Sequence, residues 1–321
     1  MPTRIKNGLE VDGVPILGSG IPTTSGTYFF VDYGAGSDGN DGTMENPLKT
    51  VAYAYSLMTS NKDDVMVLMG NSTHTLTAEL NVAKNRVHFV GIDGTNGRMQ
   101  GQNAKINIGV TTDTGDVATI LNTGVRNSFH NVKVMNNNTL TEALYAFADG
   151  GEYTYMQNCE IAYLAKLSTA TVADMLCNGD TSIYVNCAIG TTANEITANG
   201  ARPNVLFSGG GISGKKARDV RFVGCDFLYK AGDTDNRWVY GANATDIERL
   251  CKFEGCLFYN NLLAAQTMTL GMHFGAAQTE GSVIVMNSAS YNCTDFATQT
   301  GIFQACNAAN AANGIESTQS A

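Results

Sequence analysis

Met156-Gln157-Asn158-Cys159-Glu160-Ile161 and Tyr184-Val185-Asn186-Cys187-Ala188-Ile189 share one pattern. An apolar residue and any residue precede Asn or Gly; a small residue, any residue and usually an apolar one follow. The pattern returns in Phe222-Val223-Gly224-Cys225-Asp226-Phe227 and Phe253-Glu254-Gly255-Cys256-Leu257-Phe258. It is also present in Phe129-His130-Asn131-Val132-Lys133-Val134 and Val285-Met286-Asn287-Ser288-Ala289-Ser290, with a looser copy at Phe89-Val90-Gly91-Ile92.

The Asn/Gly position recurs at 131, 158, 186, 224, 255 and 287, at spacings of 27, 28, 38, 31 and 32. A minimum near 27 with a variable excess is one coil of a solenoid plus loops of differing length, whereas a propeller blade needs about 40 residues or more. The leucine and asparagine pattern of a leucine-rich repeat is missing. The spacing therefore predicts an all-β chain, a single right-handed parallel β-helix. A coil corner needs left-handed backbone angles, which Gly and Asn adopt at least cost. Asn131, Asn158, Asn186, Gly224, Gly255 and Asn287 are the predicted corner ladder, whose Asn side chains can hydrogen-bond along the axis. Strand alternation then turns Cys159, Cys187, Cys225 and Cys256 inward.

Eight cysteines invite a disulfide reading. Residues stacked in parallel strands lie about 4.7–4.9 Å apart, too far for a bridge whose Cβ atoms are about 3.8 Å apart. The four are expected to be buried free thiols acting as small hydrophobes, as suits a reducing cytoplasm. A chain of 321 residues buries enough core to dispense with bridges. Charged residues are 15% of the chain and glycines number 35, which favours short strands and turns over helical bundles. A net charge of −9 argues against nucleic acid as a partner. No run of about 18 apolar residues predicts membrane insertion. The first residues lack the apolar core of a signal peptide, so export by the general secretory route is not expected.

Ahead of the repeats, Tyr28-Phe29-Phe30-Val31-Asp32 reads as a strand and residues 34–42 as a Gly-rich turn. Pro47-Leu48-Lys49-Thr50 leads into a short helix over 51–58, and Asp64 to Met69 reads as a buried parallel strand. This order resembles the entry segment of the pectate-lyase-like superfamily of right-handed β-helices. The resemblance implies that the segment covers the open end of the first coil. It implies little about role, since lyases, hydrolases, tailspikes and inert scaffolds share the fold. Expected boundaries are an extended N-terminal arm over 1–26, a cap over 27–62, the solenoid over 63–304 and a tail over 305–321. Segments 190–219 and 228–249 are the long excursions where a binding surface is expected.

Chemistry in the sequence is sparse. Gly209 to Lys216 nearly fits a phosphate loop, but Lys216 stands where Ser or Thr would hold magnesium, and a strand follows. Asp38-Gly39-Asn40-Asp41-Gly42 has calcium-like chemistry, yet Lys49 stands where an EF-hand needs Glu, and a turn held by its own side chains is expected. Cys251 and Cys256 have no second pair at zinc spacing. No metal or cofactor is expected. For glycan cleavage the candidates are Asp226 and Glu254 on adjacent coils, with Arg221 nearby, because hydrolysis needs two carboxylates roughly 5–9.5 Å apart. His74, His88, His130 and His273 are scattered, and no Ser-Asp arrangement is recognisable beside them.

The opening Ile5-Lys6-Asn7-Gly8-Leu9-Glu10-Val11-Asp12-Gly13 looks like the start of phage structural proteins, and the whole chain resembles small β-helical proteins of tailed phages. The resemblance implies a non-enzymatic capsid decoration or head-surface protein, made in the host cytoplasm and displayed on the virion. Its partners would be other virion proteins, engaged through Ile5, Leu9, Val11, Val14, Ile16 and Leu17, and it would form a homotrimer. The alternatives are a tailspike or tail fibre that binds or cuts host surface glycans, and a carbohydrate-binding module.

Overall fold

The computed structural model describes residues 9–11, 14–16, 24–70, 72–92, 104–109, 118–137, 144–164, 172–193, 195–196, 202–208, 212, 214–261, 266–275, 278–297, 302–304 and 308–309. Parallel strands stack into three long sheets of ten, nine and seven strands. Successive coils pass through the three sheets in turn, as Phe129, Val134 and Phe147 illustrate on the first, second and third faces. The chain is a right-handed parallel β-helix, as the repeat predicts.

Each face sends rows of side chains inward, and one row runs the length of each face. On the first face this row is Phe89, Phe129, Met156, Tyr184, Phe222, Phe253 and Val285. Rings stack within it: Phe222 and Phe253 lie 4.8 Å apart at 5°, and Phe89 and Phe129 4.9 Å apart at 15°. The second face contributes Ile106, Val134, Ile161, Ile189, Phe227 and Phe258. The third contributes Ile120, Phe147, Met175, Val205, Val239 and Met272. All belong to one continuous core. Each such burial is worth about 1.5–3 kcal/mol, and each aromatic pair adds about 0.5–1.5.

The corner between the first and second faces carries the repeat motif. Asn131, Asn158, Asn186 and Asn287 have φ of 54, 53, 51 and 50°, and Gly224 and Gly255 have 61 and 63°. Asn131, Asn158, Asn186, Gly224 and Gly255 each donate the backbone N–H one coil onward, to the carbonyls of Gln157, Val185, Val223, Glu254 and Met286 respectively, at 2.8–3.0 Å. Asn158 Nδ2 also donates to Asn131 Oδ1 at 3.3 Å. The looser copy behaves differently: Gly91 lies within a strand, and a Cβ there would stand 2.1 Å from Asn131 O.

Tyr28–Val31 pairs directly with Asp64–Met69, so the entry strand is the first rung of the first face. Helix Val51–Leu57 closes the end of the core with Val51 and Ala54, flanked by Leu48 and Met58. Thr50 caps it, and Asp38 grips the cap by accepting from Lys49 N, Thr50 N and Thr50 Oγ1 at 2.8–3.0 Å. Segments 190–219 and 228–249 each contain a third-face strand, Pro203–Phe207 and Arg237–Gly241. Strands Ile302–Gln304 and Ala308–Ala309 continue the first and second faces, so pairing runs past residue 304. Within the arm, Leu9–Val11 and Val14–Ile16 form an antiparallel pair in place of an extended run.

Candidate functional site

The carboxylates considered for glycan cleavage fall on either side of the Asn/Gly corner. Glu254 ends a first-face strand and pairs with Lys252 of the same strand at 2.8 Å. Asp226 opens a second-face strand between Ala188 and Leu257 and is buried. Arg221 lies exposed on the first face between Ile183 and Lys252. Cys159, Cys187, Cys225 and Cys256 point inward as buried free thiols. Cys159 and Cys225 donate to carbonyls of the coil before, Phe129 O and Tyr184 O, at 3.3 Å. Burial pushes the Cys187 and Cys251 thiols up, so both stay protonated at neutral pH. Of the arm's residues, Leu9 and Val11 pair with Ile16 and Val14; Ile5 and Leu17 lie outside the described residues.

A second left-handed corner, between the third and first faces, carries no Asn/Gly signature. Arg126, Tyr153, Thr181 and Asp219 adopt φ of 59, 55, 54 and 50°, each five residues before a corner residue of the repeat. Their neighbours Glu152, Asp180 and Arg218 line a groove of about 610 Å³ with Lys215, Lys216, Glu248 and Glu280. Arg218 lies between Asp180 at 3.4 Å and Glu248 at 3.5 Å, and Lys216 reaches Glu280 at 2.6 Å. Tyr153, 51% exposed, follows the groove residue Glu152 in the chain, and the Arg126 guanidinium lies 5.5 Å over its ring. The near-phosphate-loop lysines are thus engaged, with Lys215 Nζ donating to Gly150 O at 2.7 Å.

Stacking also assembles a group that the scattered histidines concealed. His88 and Ser128 are direct neighbours on adjacent first-face strands, and the inward Phe89 and Phe129 leave them facing outward. His88 Nδ1 lies 2.8 Å from Ser128 Oγ, and His130 Nε2 lies 3.1 Å from the same oxygen. His88 Nε2 lies 3.5 Å from Asp63 Oδ1. Asp63 sits in the tight turn before its strand, at φ 58°, and Arg86 clamps it with two donors. Hydrogen bonding from Arg86 holds the Asp63 carboxyl below its usual range. Burial lowers His88 and brings His130 to about 4, so both rings are neutral at pH 7. A neutral His88 that donates Nε2–H to Asp63 has Nδ1 free to accept the Ser128 proton.

No protein-family model and no curated protein matches the chain. Solved structures do match. A rhamnogalacturonan lyase superposes with a TM-score of 0.64 at 14% identity, over 88% of this chain and 74% of the other. The chain has the pectate-lyase-like fold. A pectin methylesterase from Aspergillus niger matches this β-helix with a TM-score of 0.60 at 17% identity, covering 90% of this chain and 87% of the other. Pectate lyase Pel9A does so with 0.60 at 12%, over 90% and 68%. At these identities the likeness is one of fold, and it transfers no residue roles to this β-helix.

Proposed function

We propose that this pectate-lyase-like β-helix is a structural surface protein of a tailed bacteriophage particle, that it decorates the head as a homotrimer, and that it cleaves no glycosidic bond. The observation that carries the last point is the division of its candidate carboxylates. Asp226 is buried on the second face, while Glu254 is paired with Lys252 on the first. The stacked ladders supply the rigidity that such a role requires, and the opening residues supply the resemblance to phage structural proteins. The protein would be assembled in the host cytoplasm and displayed on the virion, with the arm contacting capsid proteins. Gold-labelled antibody against the β-helix, viewed on intact particles, is expected to decorate heads; labelling confined to tails would replace this reading with the tailspike alternative.

That alternative, binding of host surface polysaccharide, draws on the corner groove and on the exposed Tyr153 that follows its residue Glu152 in the chain. It predicts that Tyr153→Ala weakens adsorption to the host, and unchanged adsorption would remove its support.

A further inference from the structure

We propose that Ser128 is the nucleophile of a site that hydrolyses small acyl esters, with His88 as its base, Asp63 orienting that base and His130 positioning the hydroxyl. This goes beyond the structural role and does not depend on it.

Two contacts meet at one outward-facing hydroxyl, and a third orients the base that faces it. Asp63 is an ionised acceptor, so the His88 nitrogen facing it must carry the proton, and the nitrogen facing Ser128 must be the acceptor. The Ser128 hydrogen therefore points at a base 2.8 Å away. His130 satisfies the remaining lone pair of Oγ from 3.1 Å, and its ring is held in place by Tyr155, 5.6 Å away, and by a hydrogen bond with the Gln157 side chain. The nitrogens are reversed relative to chymotrypsin-type triads, where Nε2 faces the serine; either imidazole nitrogen can serve as base. The backbone supports the same assignment. Asp63 is in a left-handed conformation that an L-residue adopts at a cost, and its Arg86 clamp, also left-handed at φ 55°, repays it with two charge-assisted bonds.

In the reaction, Oγ attacks the ester carbonyl carbon as its proton passes to His88 Nδ1. Collapse of the tetrahedral adduct breaks the ester C–O bond, and the departing alcohol takes that proton. Water then attacks acyl-Ser128, again giving its proton to His88, which returns it to Oγ as the acid leaves. Ester and water become acid and alcohol, with no other reactant.

Burial sets the substrate class. Ser128 is 7% exposed, and its partners His88 and His130 register with Val65 and Val90 of the buried cluster Phe30, Val65, Val67 and Val90. An uncharged, acetyl-sized acyl group suits such surroundings.

The test treats the full chain with phenylmethanesulfonyl fluoride and, separately, with 4-nitrophenyl acetate. One sulfonyl adduct is expected, mapped by peptide mass to Ser128. It should be absent in Ser128→Ala and form at least about 100-fold more slowly in His88→Gln, the scale of a lost general base. Labelling should hold through pH 6.5, the ordinary histidine value, and slow only at lower pH, because burial lowers His88 and a protonated His88 accepts nothing. Arg249→Ala, on a distant coil, should label as the parent does. Urea unfolding of each variant separates loss of the nucleophile from loss of the fold, and the adduct site in the parent chain decides the matter even where Ser128→Ala does not fold. Absence of an adduct on Ser128 in the folded parent, or 4-nitrophenol release undiminished in a folded Ser128→Ala, would overturn the assignment and leave these contacts as ladder hydrogen bonds.

Discussion

At the scale of single residues, the backbone's left-handed positions define the coil. The Asn/Gly corner is legible in the sequence because those residue types tolerate positive φ. The corner five residues earlier is illegible because Arg126, Tyr153, Thr181 and Asp219 carry no such mark, and tertiary stacking alone holds them there. Tyr153 should therefore be strained. Tyr153→Asn is expected to raise stability by about 1 kcal/mol in urea unfolding, a left-handed cost of about 1–2 less a cation–π contact of about 0.5–1. Asp149 is the opposite case. It is fully buried and accepts from Asn122 Nδ2, Gly151 N, Thr154 Oγ1, Ser182 Oγ and Tyr184 OH, joining three coils at that same corner. Asp149→Ala leaves these donors unpaired and should cost about 3–5 kcal/mol by the same measurement.

Among the elements, the corner between the second and third faces is tied by a buried ion pair. Arg202 and Asp174 lie 3.4 Å apart, Asn204 Nδ2 donates to Asp174 at 2.8 Å, and Tyr229 OH donates to Arg202 O at 2.8 Å. Arg202→Met alone should destabilise by about 3–5 kcal/mol because it strands the carboxylate, whereas Arg202→Met with Asp174→Leu should recover much of that loss. Comparable unfolding midpoints for the single and double variants would contradict the pairing. Nothing in the sequence joins residues 174 and 202, since each lies in a segment without the repeat. The Ser128 group was hidden for a related reason. His88 and Ser128 are 40 residues apart and meet only because one coil brings them into register. The inward rows, by contrast, follow directly from alternation about the repeat, so the core was legible where the site was not.

For the whole molecule, the histidines set the response to acid. His88 and His130 are half-buried and neutral, with folded pKa values below the ordinary 6.5 and, for His130, at about 4. Between those values the unfolded chain binds more protons, so their contribution is complete above about pH 6.5 and is lost as pH falls towards 4. Burial holds Glu160 and Asp174 up and opposes this trend. The expected signature is therefore a fall in urea midpoint between pH 6.5 and 4 that is shallower in His130→Asn; identical slopes would contradict it. The overall architecture was legible from one six-residue pattern. The proposed attachment to a particle is assigned to the arm, and the direct test is particle binding by the full chain and by a chain lacking residues 2–24. The shortened protein is expected to keep the β-sheet spectrum and cooperative unfolding of the parent but no longer to join the particle. Undiminished incorporation of the shortened protein would contradict it.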